Sequence, residues 1–400
     1  MTLTATRLTG RSPVERALTL SIAAASLAKG VLFGVSALFF TTVIGLSPAI
    51  VGIGLTVAGV AGMAAAFGSG HLADRVGAQP VLVAATVVQS VALAAYCSAG
   101  SALTFTLIAG AAAGAQGAQR TAQATLLAVH FTGPDRVTVR ARLRVVTNVF
   151  VGVGSALAAT ALAAGTPAAY VIAMLAASAL VLGSAMPLRG RFAPPAPAPA
   201  RPAATPPGRS PLRDLRYVGI AALYGVLTIQ FGLLTVGMPL WVTLHTRAPA
   251  TVVALLLVLN TVLVAVFQVP AARLVSGVRA AGRTVVVSSG FLVLTCLFYA
   301  GAGPVPRLAA IGLLLLAVVA ASVAEVLSEA GAWSLAFDLA DARQPGAYQG
   351  ISQTGFAAGG MLAPAVVTST AIAHGTPGWL LLAAVFLAAG AGTYGLASHR

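Results

Sequence analysis

Four ionisable side chains stand inside long apolar runs: Lys29, Arg120, Glu325 and Glu329. A charge at membrane depth is costly, so such residues either carry ions and substrates or pin helices together. Glu325 and Glu329 are four residues apart and therefore share one helix face, which Ser322 and Trp333 extend. Burial and a nearby cation act in opposite directions on a carboxylate's hold on a proton. A carboxylate that exchanges its cation partner can therefore take up and release a proton. A static ion pair is the alternative. Gln230 and Tyr224, with Thr228 nearby, are neutral candidates in a separate apolar run. Gln89, Asn148, Asn260, Gln268 and Gln353 read as hydrogen-bonding contacts between helices.

The surrounding chain has 400 residues, of which 58% are apolar and 8% charged, with mean hydropathy +0.95. A soluble domain carries about 25% charged residues, so the main solvent of this chain is lipid. A spanning helix needs about 20 apolar residues. Runs of that length are expected at 17–45, 48–72, 80–100, 102–130, 145–165 and 167–188, then at 216–246, 249–276, 283–302, 307–339, 347–373 and 377–398. Pro and Gly punctuate them, as at Ser47-Pro48, Thr166-Pro167 and Gly375-Thr376-Pro377. Between the sixth and seventh runs lies a Pro/Ala/Arg-rich stretch that reads as a linker. The expected organisation is a tail at 1–16, a six-helix bundle at 17–188, the linker at 189–215 and a second six-helix bundle at 216–398. The first apolar run is too long for the core of a signal peptide and reads as an uncleaved helix.

The formal net charge of +15 comes from 23 Lys+Arg against 8 Asp+Glu. With the amino terminus inside, 19 of the 23 cations fall in inner segments, among them the cluster Arg136, Arg140, Arg142 and Arg144. Only Arg247 and Arg307 fall outside. This is a positive-inside pattern with both termini and the linker in the cytoplasm, and not the footprint of a nucleic-acid binder. Trp241 and Trp379, near the outer ends of their runs, read as interface anchors.

Other chemistries lack their residues. The single lysine, Lys29, precedes Gly30, so there is no phosphate-binding loop of the Walker type. Cys97 and Cys296 form neither a disulfide framework nor a metal cluster. Gly34-Val35-Ser36-Ala37 superficially matches an intramembrane serine protease, but the five histidines all lie near the ends of runs and none is placed to act as base. Haem ligation fails for the same reason. The expectation is no enzyme, no cofactor and no metal.

Gly70-His71-Leu72-Ala73-Asp74-Arg75-Val76-Gly77 comes after the second run, and Pro270-Ala271-Ala272-Arg273-Leu274-Val275-Ser276-Gly277 after the eighth, which suggests a duplicated unit. Gly70, Asp74, Arg75 and Gly77 match the signature G-x-x-x-D-R-x-G between helices 2 and 3 of the major facilitator superfamily, which the whole chain beyond residue 16 resembles. The resemblance implies an all-α membrane protein of twelve transmembrane helices in two six-helix repeats, with helices 1, 4, 7 and 10 lining a central cavity, across which Lys29 would face either Glu325 or Glu329 as the exchangeable cation. It implies a gating loop in which Asp74 lies near the start of helix 11, around Ala347, with Arg75 and the Arg140, Arg142 and Arg144 cluster completing an ion network. The family's helix-4 context R-x-x-Q-G is partly present, with Gln116-Gly117 but Ala113 in place of Arg, and Arg120 is the nearest cation. The function implied is a secondary transporter working by alternating access, favouring proton-coupled export of a small drug-like molecule or metabolite from a bacterial cytoplasmic membrane. The alternatives are a proton symporter importing a nutrient and, more distantly, a membrane receptor or enzyme. The expected partners are the substrate, protons and the bilayer, with no nucleic acid, and the chain is expected to be a monomer.

Overall fold

The computed structural model describes residues 12–190 and 210–398. Most of the expected tail and linker, including Arg7, Arg11, Arg191, Arg201 and Arg209, and the terminal Arg400 lie outside the described residues. Among the described residues the regular structure is entirely helical. Twelve helices occur in order: α1 (Pro13–Leu38), α2 (Pro48–Val76), α3 (Ala78–Ala95), α4 (Ala102–His130), α5 (Pro134–Ala164), α6 (Pro167–Gly183), α7 (Leu215–Thr228, continuing to His245), α8 (Thr251–Leu274), α9 (Val278–Ala302), α10 (Arg307–Asp338), α11 (Pro345–Val367) and α12 (Thr376–Ser398). Eleven are long and apolar enough to cross a membrane. The remaining one, α4, has the length but is diluted by Gln116, Gln119, Arg120 and Gln123.

The helix starts arise from local chemistry. Ser47 and Thr166 each accept a hydrogen bond from the backbone N–H three residues on and are followed by Pro at the first helical position. Asp214 caps α7 through Tyr217 N at 3.0 Å. Hydropathy starts the fifth run at 145, but α5 begins at Pro134, after Gly133 at φ +53. Arg140, Arg142 and Arg144 are therefore helical and not loop residues. Hydropathy misplaces this start because Arg is a good helix former; the Gly-Pro pair, and not the first apolar residue, sets the boundary.

The chain divides into two compact units. The first comprises residues 1–65, 72–130 and 146–207. In it α3 packs on α4 and α6, and α1 on α6, around Phe39, Phe40, Tyr96 and Phe105, whose rings meet at 4.9–5.8 Å. Gly30 and Gly154 bring α1 and α5 into backbone contact; a Cβ at either would collide with the other helix. Gln119 donates to Gln89 at 2.6 Å, one of the interhelical contacts expected of such amides.

The second unit comprises residues 66–71, 131–145 and 208–400. Here α9 lies between α10 and α12, α8 packs on α10, and α7 packs on α11 and α12. Trp241 and Trp379 are not interface anchors: both are buried. Trp241 donates Nε1 to Tyr299 O at 2.6 Å, and the Trp379 ring rests on Tyr299 and Trp241. Their neighbours on α9, invisible in a one-dimensional reading, turn them inward. Within this unit α7 is irregular, with a turn at Ile229 and a π-helical turn at Leu233–Gly237. Such bulges are frequent at functional sites.

Candidate functional site

The polar residues of α10 occupy one strip in the second unit. Ser322, Glu325, Ser328, Glu329 and Trp333 are all buried. Each finds a neighbour on a different helix, and Ser322 and Ser328 bond to their own helix as well.

Glu325 is held from two sides. Arg144, on the first turns of α5, places Nη2 3.3 Å from Oε1. Asn260 on α8 donates Nδ2 to Oε2 at 3.4 Å and to Ser322 Oγ at 3.0 Å. The carboxylate is 6% exposed and the Arg144 side chain 27%, so this ion pair is shielded at one partner and open at the other. One turn on, Glu329 accepts the Tyr224 hydroxyl at 2.6 Å through Oε1. Between them, Ser328 donates to the Glu325 carbonyl at 3.0 Å and accepts Gln230 Nε2 at 2.8 Å. Gln230 begins the irregular stretch of α7, so the bulge sets where this amide meets α10.

Two of the arginines of α5, Arg140 and Arg144, lie on rings. The Arg140 guanidinium carbon is 4.9 Å from the Trp333 ring centroid and 5.6 Å from that of Phe337. That of Arg144 is 5.4 Å from Phe231. Phe356 on α11 completes an aromatic chain, 5.9 Å from Tyr224 and 6.0 Å from Phe231. Stacking orients a guanidinium plane and leaves its edges free to donate.

The structure thus brings together four of the expected site residues: Glu325, Glu329, Tyr224 and Gln230. Lys29 and Arg120 belong to the first unit. Lys29 Nζ stands 5.3 Å from the Phe33 ring centroid. Arg120 Nη1 donates to Gln116 Oε1 at 3.1 Å, one turn back on α4. Of the expected gating motif, Gly70 packs against the backbone of Gly346 and Gly350 at the start of α11. Asp74 and Arg75 are exposed on the last turn of α2. Gly77, at φ +94, is the one residue between α2 and α3. The signature is therefore helical up to Val76, and its loop is a single glycine.

Sequence reasoning misses the cation that Glu325 meets. It groups Arg144 with loop charges because the polar first turns of α5 fail a hydropathy test. A signal is present: Arg140 and Arg144 share the four-residue spacing of Glu325 and Glu329, one pair cationic and the other anionic. Asn260 reads in the sequence as a helix contact; it makes one, to Ser322, but it also holds the carboxylate.

A family model described as the Major Facilitator Superfamily matches residues 18–364. No curated protein matches the chain. Among solved structures, the E. coli fucose:proton symporter FucP is similar at TM-score 0.73 and 11% identity, covering 98% of this chain and 100% of that one. The human organic anion transporter MFSD10 is similar at TM-score 0.71 and 16% identity, with 96% and 100% covered. A bacterial homologue of the iron transporter ferroportin is similar at TM-score 0.69 and 14% identity, with 96% and 98% covered. At these identities the likeness is one of fold.

Proposed function

The chain belongs to the major facilitator superfamily and is a multi-pass membrane transporter and no enzyme; on that premise we propose that it works by alternating access, coupled to protons through Glu325, and exports a small drug-like molecule or metabolite across a bacterial cytoplasmic membrane. The observation that carries this reading is the Glu325 carboxylate, buried midway along the membrane-length helix α10 and paired with Arg144. An ion pair whose partner is itself part-exposed can open when the helices rearrange, and the carboxylate then takes a proton in the cation's place. Glu329 accepts the Tyr224 hydroxyl one turn further along the same strip. Lys29 and Arg120 serve in this reading as cations of the substrate pathway, and the Gly70–Gly77 segment as the gate.

The test is twofold. In proteoliposomes with an imposed pH gradient, wild-type protein should move substrate with the gradient, while Glu325→Gln, folded and reconstituted to the same level, should not. Proton dependence that survives this substitution overturns the reading. A strain lacking the protein, screened against toxic compounds and metabolites, gives direction: hypersensitivity or intracellular build-up marks export, and loss of growth on one nutrient marks import.

A further inference from the structure

Several buried hydrogen-bond donors of the second unit meet no acceptor among the described residues. They are Arg140 Nη1, Arg144 Nε and Trp333 Nε1. A donor left this way is expensive, about 1–3 kcal/mol and more for charged groups. The three are neighbours: Arg140 lies on Trp333, and Arg144 stands one turn later on α5. The rings of Trp333 and Phe231 lie against the two guanidinium groups, and Phe356 against Phe231, as flat apolar surface. Donors pointing out of stacked guanidinium planes, beside aromatic faces, match a carboxylate carried on a flat ring.

Charge decides how such a ligand enters. The groups facing Glu325 are Arg144 from α5, Glu329 on its own helix and the neutral Asn260 from α8; Arg140 from α5 and the Tyr224 hydroxyl from α7 stand with Glu329. Ser288 from α9 is spent on the Ala324 carbonyl. Two arginines and two glutamates balance. An anion added to this set leaves one buried negative charge uncompensated, unless Glu325 takes a proton. Protonation of Glu325 removes the charge that Arg144 answers and frees its guanidinium. A proton on Glu325 together with a monoanion on Arg144 restores the balance.

We infer that this site takes a ring-bearing monocarboxylate on Arg144 and Arg140, and that the anion and the proton on Glu325 bind together. The inference rests on the proton-coupled reading above and gives it a sign. Linkage is reciprocal, so each of the two ligands strengthens the other by the same factor. The pair crosses as a neutral complex. Net flow is set by the combined gradients of proton and acid, and an acid that accumulates inside leaves with its proton.

The experiment is equilibrium binding to the purified full-length protein in detergent, using radiolabelled benzoate, 2-naphthoate and indole-3-acetate, with benzylamine and benzyl alcohol as cationic and neutral counterparts. The carboxylates should bind, and more tightly by at least about tenfold at about pH 6 than at about pH 8, a range in which they stay ionised themselves. Arg144→Gln should lose binding, and Arg144→Lys should recover only part of it, having no fork. The double variant Arg144→Gln/Glu325→Gln leaves no unpaired charge, so it controls for folding, and it should not bind. Glu325→Gln alone should bind at both pH values as tightly as wild type does at the lower one. Preferential binding of benzylamine, failure of all three carboxylates, or binding indifferent to Arg144→Gln overturns the anion site even if Glu325 proves to be the proton carrier. Carboxylate binding whose pH dependence survives Glu325→Gln removes the proton from Glu325 and with it the joint carriage.

Discussion

Tyr224 and Asn260 show how much one neutral side chain can decide about a buried charge. Tyr224 donates to Glu329 at 2.6 Å, and both groups are buried. A hydrogen bond to a charged acceptor contributes about 1.5–3 kcal/mol. Tyr224→Phe should therefore lower the thermal stability of the detergent-solubilised protein by that order. In the background of Glu329→Gln its effect should be smaller by at least about 1 kcal/mol, since the two mutations share one interaction. Additive losses would show that the bond contributes nothing. Asn260 acts on Glu325 in another way, joining Oε2 to Ser322 and α8 to α10. Its substitution by Leu should impair gradient-driven transport more than stability, and equal transport by the two proteins would remove Asn260 from the coupling group. Tyr224 and Gln230 are visible as candidates in the sequence because polar groups are few on α7. Asn260 is equally visible there, but only the meeting of α8 with α10 gives it a carboxylate to hold.

At the scale of elements, small residues set how closely helices approach. In the second unit Gly359 on α11 abuts the backbone of Gly225 on α7, and Gly355 abuts Ala221, two contacts one turn apart. The partner of Gly359 in this contact is backbone, which cannot rotate away. Gly359→Ala should cost about 1–3 kcal/mol through overpacking. Gly360, next in sequence, faces open space, so Gly360→Ala should be neutral or slightly stabilising, because it restricts the unfolded chain. Unfolding temperatures of the two variants separate the effects, and equal values would mean that α7 and α11 yield. The abundance of Gly and Ala is legible from composition as close packing. Which of two adjacent glycines is indispensable is a matter of helix rotation, which composition does not carry. The start of α5 is a case of the same kind. Its first turns carry arginines, yet Gly133 and Pro134 fix the boundary, and that shift carries Arg140 and Arg144 from an expected loop onto a helix beside α10.

For the whole molecule, the distribution of cations implies an orientation that does not depend on those two arginines. With Arg140 and Arg144 set aside, the inner segments of the expected topology still hold most of the remaining cations. A reporter fused after Ser398 should therefore be active only when it is one that requires the cytoplasm, and a phosphatase that requires the outside should be silent. The reverse result would turn the molecule over and with it the side proposed for the Gly70–Gly77 gate.

The sequence by itself determined the solvent, the number of helices, most of their ends and the family, because each of these depends on local quantities: hydropathy summed over about 20 residues, Pro and Gly at turns, and a contiguous motif. It also marked Glu325 and Glu329, since a carboxylate in an apolar run stands out wherever the run lies. Only the tertiary structure decided what those carboxylates meet. Arg144 is 181 residues from Glu325 in the chain, and Tyr224 is 105 from Glu329. Such pairings depend on the rotation of each helix about its axis and on the bulge in α7. Trp241 and Trp379 mark the same boundary: their positions along the chain suggest a lipid interface, and the packing of α9 against them makes them core.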